Sequence, residues 1–199
     1  MTAFTHETRS RTERYAGPIF AVYTETVTMP GGGTAERDLV ENKGAVGVVA
    51  IDDVGRVALI KQYRHPVRRR LWELPAGLRD VSGEDPVLTA GRELAEEADL
   101  RAARYDLLVD LHTSPGFCDE TIRLFLARDL SPVPDAQRHQ RTDEEADIEI
   151  AWFDLDEAVA MVLRGEITNA AAVGGLLAAA RARADGWAML RPADTPLGG

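Results

Sequence analysis

The 199-residue chain has little of several things, and each shortage excludes something. It has one cysteine, Cys118. A lone cysteine cannot form an intrachain disulfide or build a cysteine-rich zinc site, and it fits a reducing compartment. Its ordinary fate is that of a small core residue. No apolar run approaches the ~20 residues of a membrane-spanning helix. Met1 to Glu13 is polar, without the apolar stretch of a secretory signal. A cytoplasmic protein with no membrane partner is therefore expected. Positive charge is also scarce: 23 Lys and Arg face 33 Asp and Glu, for a formal charge of −10. Nucleic-acid backbones are gripped mainly by basic surfaces, so no nucleic-acid partner is expected. A small phosphorylated ligand is still compatible, provided metal ions and a few arginines locally outweigh the carboxylates. The four histidines, His6, His65, His112 and His139, show no metal-ligand spacing, and the chain has no internal repeat.

What is present is a 45% hydrophobic composition, enough for one sizeable core with an accessory segment. From Ile19 to Leu39 weak alternation flanks a Met29-Pro30-Gly31-Gly32-Gly33 turn and reads as a hairpin or meander. Residues 1–42 are therefore taken as an N-terminal β subdomain and 43–199 as the main domain. Ala45 to Ile51 and Val57 to Tyr63, separated by an Asp52-Asp53-Val54-Gly55 turn, read as strands buried in the main sheet. Further strands are expected at Leu71–Leu74, Tyr105–His112, Thr121–Ala127 and Ile148–Phe153. Helices are expected near Leu155–Leu163 and Asn169–Ala184. Pro132 to Thr142 reads as a polar loop. Strands mixed with flanking helices give an α/β, or α+β, sandwich.

Between these elements, Asp85 before Pro86 forms an N-cap followed by proline at the first helical position, and the helix should run to Ala98. Val87, Leu88, Gly91, Leu94, Ala95 and Ala98 are expected to form its packing stripe, with Glu93, Glu96 and Glu97 on another, solvent-facing side. Three glutamates converging within a turn repel one another. They are either a solvated acidic face or a site neutralised by cations.

The surroundings decide between these. Gly77, Glu84 and the run Arg92-Glu93-Leu94-Ala95-Glu96-Glu97-Ala98-Asp99-Leu100 resemble the Nudix box, G-x5-E-x7-R-E-U-x-E-E-x-G-U. Two departures stand out: six residues rather than five separate Gly77 from Glu84, and Asp99 replaces the glycine that follows the helix. The insertion falls in a loop and should be harmless, and Asp tolerates a left-handed helix end better than most residues. Lys61-Gln62-Tyr63-Arg64-His65, Leu71 to Leu78 and Thr113-Ser114-Pro115-Gly116-Phe117 extend the likeness, over roughly 44–170, to the ADP-ribose pyrophosphatase branch of the Nudix superfamily.

That resemblance implies a Nudix α/β/α sandwich, a homodimer formed through the N-terminal β subdomain, and Mg²⁺-dependent (or Mn²⁺-dependent) hydrolysis of ADP-ribose to AMP and ribose 5-phosphate. It implies Glu93 and Glu97 as metal ligands, Glu96 as a ligand or bridge to a second ion, and the Ala76 carbonyl as a backbone ligand. Arg92 would orient a glutamate, and Glu84 would orient Arg92 or cap the helix start. Magnesium takes oxygen ligands and shares itself with substrate phosphates, which suits this set. A base must also accept a proton from the attacking water. The acidic loop Thr142 to Asp147 is suitably placed, with Glu145 the first choice and Glu144 the next; the bland reading is a solvated loop. Arg64 matches an arginine that contacts the substrate diphosphate, and Glu73 and Glu120 match acidic positions near the terminal ribose and metals. Arg68 to Arg70 read as a surface cluster rather than phosphate ligands, Trp72 and Trp152 as packing residues, and Phe20 as a candidate to stack on adenine. The alternatives are a Nudix hydrolase of another sugar nucleotide, such as ADP-glucose or GDP-mannose, and a non-catalytic ADP-ribose sensor. A structural calcium site lacks the glycine-centred acidic loop it would need.

Overall fold

The computed structural model describes residues 4–81, 83–142 and 145–197. The chain divides into two compact units. The first comprises residues 1–44 together with 112–121, and the second comprises 45–111 and 122–199.

The first unit is an antiparallel meander of β1 (Thr8–Ala16), β2 (Phe20–Thr28) and β3 (Thr34–Asn42), in that order. The Met29–Gly33 turn joins β2 to β3, with Gly31 and Gly32 at positive φ, where only glycine sits without strain. The returning segment 112–121 adds to β3: Val40 N–H donates to the Phe117 carbonyl (2.7 Å) and Asp119 N–H to the Val40 carbonyl (3.2 Å). All nine residues of β1 are exposed, which is why no apolar alternation marks that strand in the sequence.

The second unit is a mixed sheet in the order β10 (Glu149–Asp154), β5 (Arg56–Arg64), β4 (Ala45–Ile51), β9 (Thr121–Pro132), β8 (Leu100–His112) and β11 (Arg191–Pro192). β4 and β9 are parallel, from Ala45 opposite Ile122 to Ala50 opposite Ala127. β4 has side chains buried on both faces, and the period of two sorts them. Val46, Val48 and Ala50 join Ala90, Leu94 and Ala98 of α1 (Pro86–Ala98) in one core. Val49 and Ile51 join Leu155, Ala158 and Met161 of α2 (Leu155–Leu163) and Ala172, Leu176 and Ala179 of α3 (Ala170–Ala184) in the other. The architecture is thus the expected α/β/α sandwich. Each fully buried leucine contributes ~2 kcal/mol from desolvation, and Leu94 or Leu124 cut to alanine would cost ~2–5 kcal/mol. No helix among the described residues is long and apolar enough to cross a membrane.

One irregularity positions the site. β4 pairs with β5 only at Ala50–Ala58 and Ile51–Val57. Beyond that, β5 pairs with β6 (Arg69–Glu73), and the freed edge of β4 takes the three-residue strand β7 (Ala76–Leu78), with Gly77 opposite Val46. Val48 N–H donates to the Pro75 carbonyl at 2.9 Å, closing the junction. This lays β7 beneath α1.

Helix α1 has the expected bounds and caps. Asp85 accepts from Val87 N–H at 3.1 Å, Pro86 occupies the first turn, and Asp99 is left-handed at φ 55°, ψ 33°. Its buried face differs from the expected stripe: Leu88 is 63% exposed, whereas Glu93 and Glu97 are buried at 8% and 5%. Because β7 lies under the 93/97 side of the helix, those carboxylates are covered by backbone and do not fan into water.

Candidate active site

The site grows from the contact of β7 with α1. Glu97 Oε2 accepts the Ala76 N–H at 2.8 Å. Glu93 lies directly over Gly77, such that a Cβ built on that glycine would sit 2.1 Å from the Glu93 carboxyl carbon. Gly77 is required here by the carboxylate above it, not by its own backbone. The extra residue between Gly77 and Glu84 leaves this contact in place. Arg92 Nη1 reaches both Glu93 Oε1 (2.7 Å) and Glu96 Oε2 (3.1 Å), and its Nη2 lies 3.9 Å from Glu84 and from Asp80. Glu84 also accepts from the Thr89 hydroxyl at 2.7 Å, so it braces the first turns of the helix as well as facing Arg92.

Burial dominates the electrostatics. It pushes the Glu97 carboxyl up to about 8, against the Ala76 hydrogen bond that favours its charged form; the charges of Glu93 and Glu145 add to the rise and that of Arg64 opposes it. Glu93 is raised for the same leading reason, opposed by Arg92 and reinforced by Glu96 and Glu145. Glu145 and Arg64, distant in sequence, therefore both act electrostatically on Glu97.

Glu145 stands in a turn in which its N–H donates to the Thr142 carbonyl (3.0 Å) and its carbonyl accepts from Ile148 N–H (3.0 Å). Its Oε2 is 3.8 Å from His139 Nε2. Glu144 lies outside the described residues. Arg64 is held as a fork by Glu73, with Nη2 to Oε2 at 2.7 Å and Nε to Oε1 at 3.1 Å. Glu73 is 2% exposed and also accepts from Gln62 at 3.3 Å; its visible role is to orient the Arg64 guanidinium. Phe20 and Glu120 belong to the first unit. Glu120 is occupied there by the Thr113 hydroxyl (2.6 Å) and Asn42 (3.2 Å). Phe20 is 42% exposed and lines a shallow cavity of about 420 Å³ with Gly17, Ile19 and Lys43.

Two further arginines contribute: Arg70, which the sequence places only in a surface cluster, and Arg141, to which it assigns no role. Arg70 holds Asp147 through its side chain and its carbonyl (2.7 Å), and Glu149 at 2.9 Å, so this arginine is committed to the strand-loop junction after Glu145. Arg141 reaches back to the end of α1. Neither has a local sequence signal for these contacts: Arg70 is the last of three consecutive arginines, and Arg141 is a single arginine just before an acidic run. Trp72 packs edge-on to Phe153 with ring centroids 5.1 Å apart, and Trp152 lies under Arg56.

Among the described residues no three or more His, Cys, Asp or Glu side chains already converge as a metal cluster. Glu93 faces Arg92 and Glu97 faces an N–H. The donors nevertheless suit a hard divalent cation: they are all oxygen, they lie within one helical turn, and their raised proton affinity marks a buried pair short of positive charge.

Residues 41–173 match the NUDIX domain family. The chain is 50% identical to an ADP-ribose pyrophosphatase of Mycobacterium tuberculosis, across 95% of this chain and 89% of that protein. It is 34% identical to an ADP-ribose pyrophosphatase of Bacillus subtilis, across 85% and 90%. A solved ADP compounds hydrolase superposes with a TM-score of 0.79 over 94% of this chain and 98% of its own, at 20% identity, a likeness of fold.

Proposed function

This chain belongs to the Nudix family, and from that premise we propose that it hydrolyses the diphosphate of ADP-ribose, giving AMP and ribose 5-phosphate. The observation that carries the reading is the buried pair Glu93 and Glu97 over Gly77 and Ala76, with Arg64 and Glu145 both acting on its charge. The choice of ADP-ribose rests on the names of the relatives from M. tuberculosis and B. subtilis.

Glu93, Glu97, Glu96 and the Ala76 carbonyl are the groups that would hold Mg²⁺ or Mn²⁺. A divalent ion there supplies Lewis-acid polarisation of the phosphoryl oxygens. Arg92, bonded to Glu93 and Glu96, fixes the directions in which those carboxylates point. Arg64, oriented by its fork with Glu73, is the proposed guanidinium contact for the negative diphosphate. Glu145 accepts the proton as a water oxygen bonds to phosphorus and the bond from phosphorus to the bridging oxygen breaks. The electron pair leaves on that oxygen, and attack at either phosphorus yields the same two products. Phe20 is the proposed stacking partner for the adenine, and Glu120 a contact for the terminal ribose.

Assembly as a homodimer through the first unit belongs to the same proposal, because no apolar residue between positions 4 and 43 is fully buried within the chain. Its single cysteine suits a cytoplasmic setting.

A panel of ADP-ribose, ADP-glucose and GDP-mannose with Mg²⁺, read by product identification, tests the substrate; preference for a different sugar nucleotide overturns the choice. Glu145→Gln tests the base. Turnover should fall by about two to four orders of magnitude while ADP-ribose affinity by calorimetry holds within about threefold. Near-normal turnover would move the base to Glu144 or out of the loop.

A further inference from the structure

One of the two departures from the family's motif, Asp99, stands where the helix meets the loop that carries Glu145. Asp99 is left-handed at φ 55°, a conformation glycine takes freely and aspartate takes at a cost. A residue kept there against that cost needs a use for its side chain, and the structure supplies one. Arg141 Nη2 donates to Asp99 Oδ2 at 2.8 Å, while Arg141 Nε donates to the Glu96 carbonyl at 2.9 Å, one of the last, otherwise unpaired carbonyls of α1. Both partners are about four-fifths covered, at 20% and 19% side-chain exposure. Asp99 is fixed from its own side as well, since its carbonyl accepts from Val133 N–H at 2.8 Å. Arg141 immediately precedes Thr142, whose carbonyl takes the Glu145 N–H. One forked guanidinium thus joins the end of the carboxylate helix to the start of the Glu145 turn.

We propose that Asp99 and Arg141 form a tether that sets where Glu145 stands relative to Glu93 and Glu97, which makes both of them positioning residues for hydrolysis. This rests on Glu145 being the base. Replacing Asp99 with the family's glycine relieves the backbone and cuts the tether, so stability and catalysis should part company. A purely structural cap would move them together.

The experiment uses the full-length protein with Mg²⁺ and ADP-ribose, comparing Asp99→Gly, Asp99→Asn, Arg141→Gln, the Asp99→Gly/Arg141→Gln double variant and Glu145→Gln. In Asp99→Gly, kcat should fall about 10- to 100-fold, the range that a displacement of ~1 Å produces, with KM within about threefold. Its Tm should stay within about 3 °C of the parent. Arg141→Gln, which leaves residue 99 untouched, should lose as much kcat, and the double variant no more than either alone. Asp99→Asn keeps the left-handed turn and one acceptor and should retain kcat within about threefold. By hydrogen exchange, the amides of Glu145 and Ile148 should exchange about tenfold faster in Asp99→Gly while those of α1 are unchanged. Wild-type kcat with unchanged exchange in Asp99→Gly, or losses that simply multiply in the double variant, would overturn the tether. If Glu145→Gln itself kept normal turnover, the base assignment would fail, and the exchange data would still decide whether the tether exists.

Discussion

Glu97 carries its carboxyl where water scarcely reaches it, at 5% exposure. Its proton affinity in the folded chain is raised from 4.5 to about 8. A group with a raised folded-state pKa contributes stability that is complete below its unfolded pKa and is lost as pH climbs through the folded one. The metal-free protein should therefore lose stability between about pH 4.5 and 8, at up to ~1.4 kcal/mol per pH unit from this group, with Glu93 acting in the same direction. Because a metal ligand must be deprotonated, Mg²⁺ should restore more of Tm at pH 8.5 than at pH 5.5. Glu97→Gln keeps an acceptor for the Ala76 N–H but never ionises. It should flatten the pH dependence of the metal-free Tm, raise Tm at pH 8.5 above that of the parent, and lower turnover more than about a hundredfold. Thermal scans in chelator and a turnover assay measure both. A Glu97→Gln protein whose Tm followed pH just as the parent does would refute the buried-charge account.

At the scale of elements, the meeting of β7 with α1 allows a sharper test than removing a ligand. Gly77→Ala adds a methyl group that would collide with the Glu93 carboxylate at 2.1 Å. Glu93 is the far end of a flexible side chain and can yield, so Tm should change by less than about 3 °C while activity drops at least about tenfold through lost metal affinity. Retained activity with normal Mg²⁺ dependence would show that Glu93 does not need its place over Gly77. The same two elements show what sequence can convey. The bounds of α1 were legible because Asp85 and Pro86 announce its start and the charged run ends at Asp99. Its buried face was not, because a period of 3.6 sorts residues by polarity and Glu93 and Glu97 read as solvent-facing; only the position of β7 reveals them as covered. β7 itself is three residues long, β1 has no apolar face, and both fall below any periodic signal. Ala45 to Ile51 was legible because burial on both sides leaves an unbroken apolar run. Within the site, motif spacing brought out the glutamates, while Arg141 and Arg70 act through long-range contacts that leave no local pattern.

For the whole molecule, the exposed meander bears on assembly. Tyr15, Ile19 and Phe20 are 52%, 51% and 42% exposed, a cost that a partner subunit would remove. Deletion of residues 1–42 should give aggregated or inactive protein, checked by size exclusion with light scattering and by turnover. A soluble, fully active monomer would sink the dimer proposal. The first unit is also assembled from two stretches of chain, with 112–121 returning to bond Val40 and Asn42 after the whole of 45–111 has intervened. Closing a loop of that length costs ~4 kcal/mol of chain entropy. A nascent chain can therefore zip β1, β2 and β3 together locally within its first few dozen residues, but the open edge of β3 stays bare until residue 121 has emerged from the ribosome. Any interruption of translation between those points leaves an uncapped strand exposed to neighbouring chains, and no single cut in the gene separates the two units.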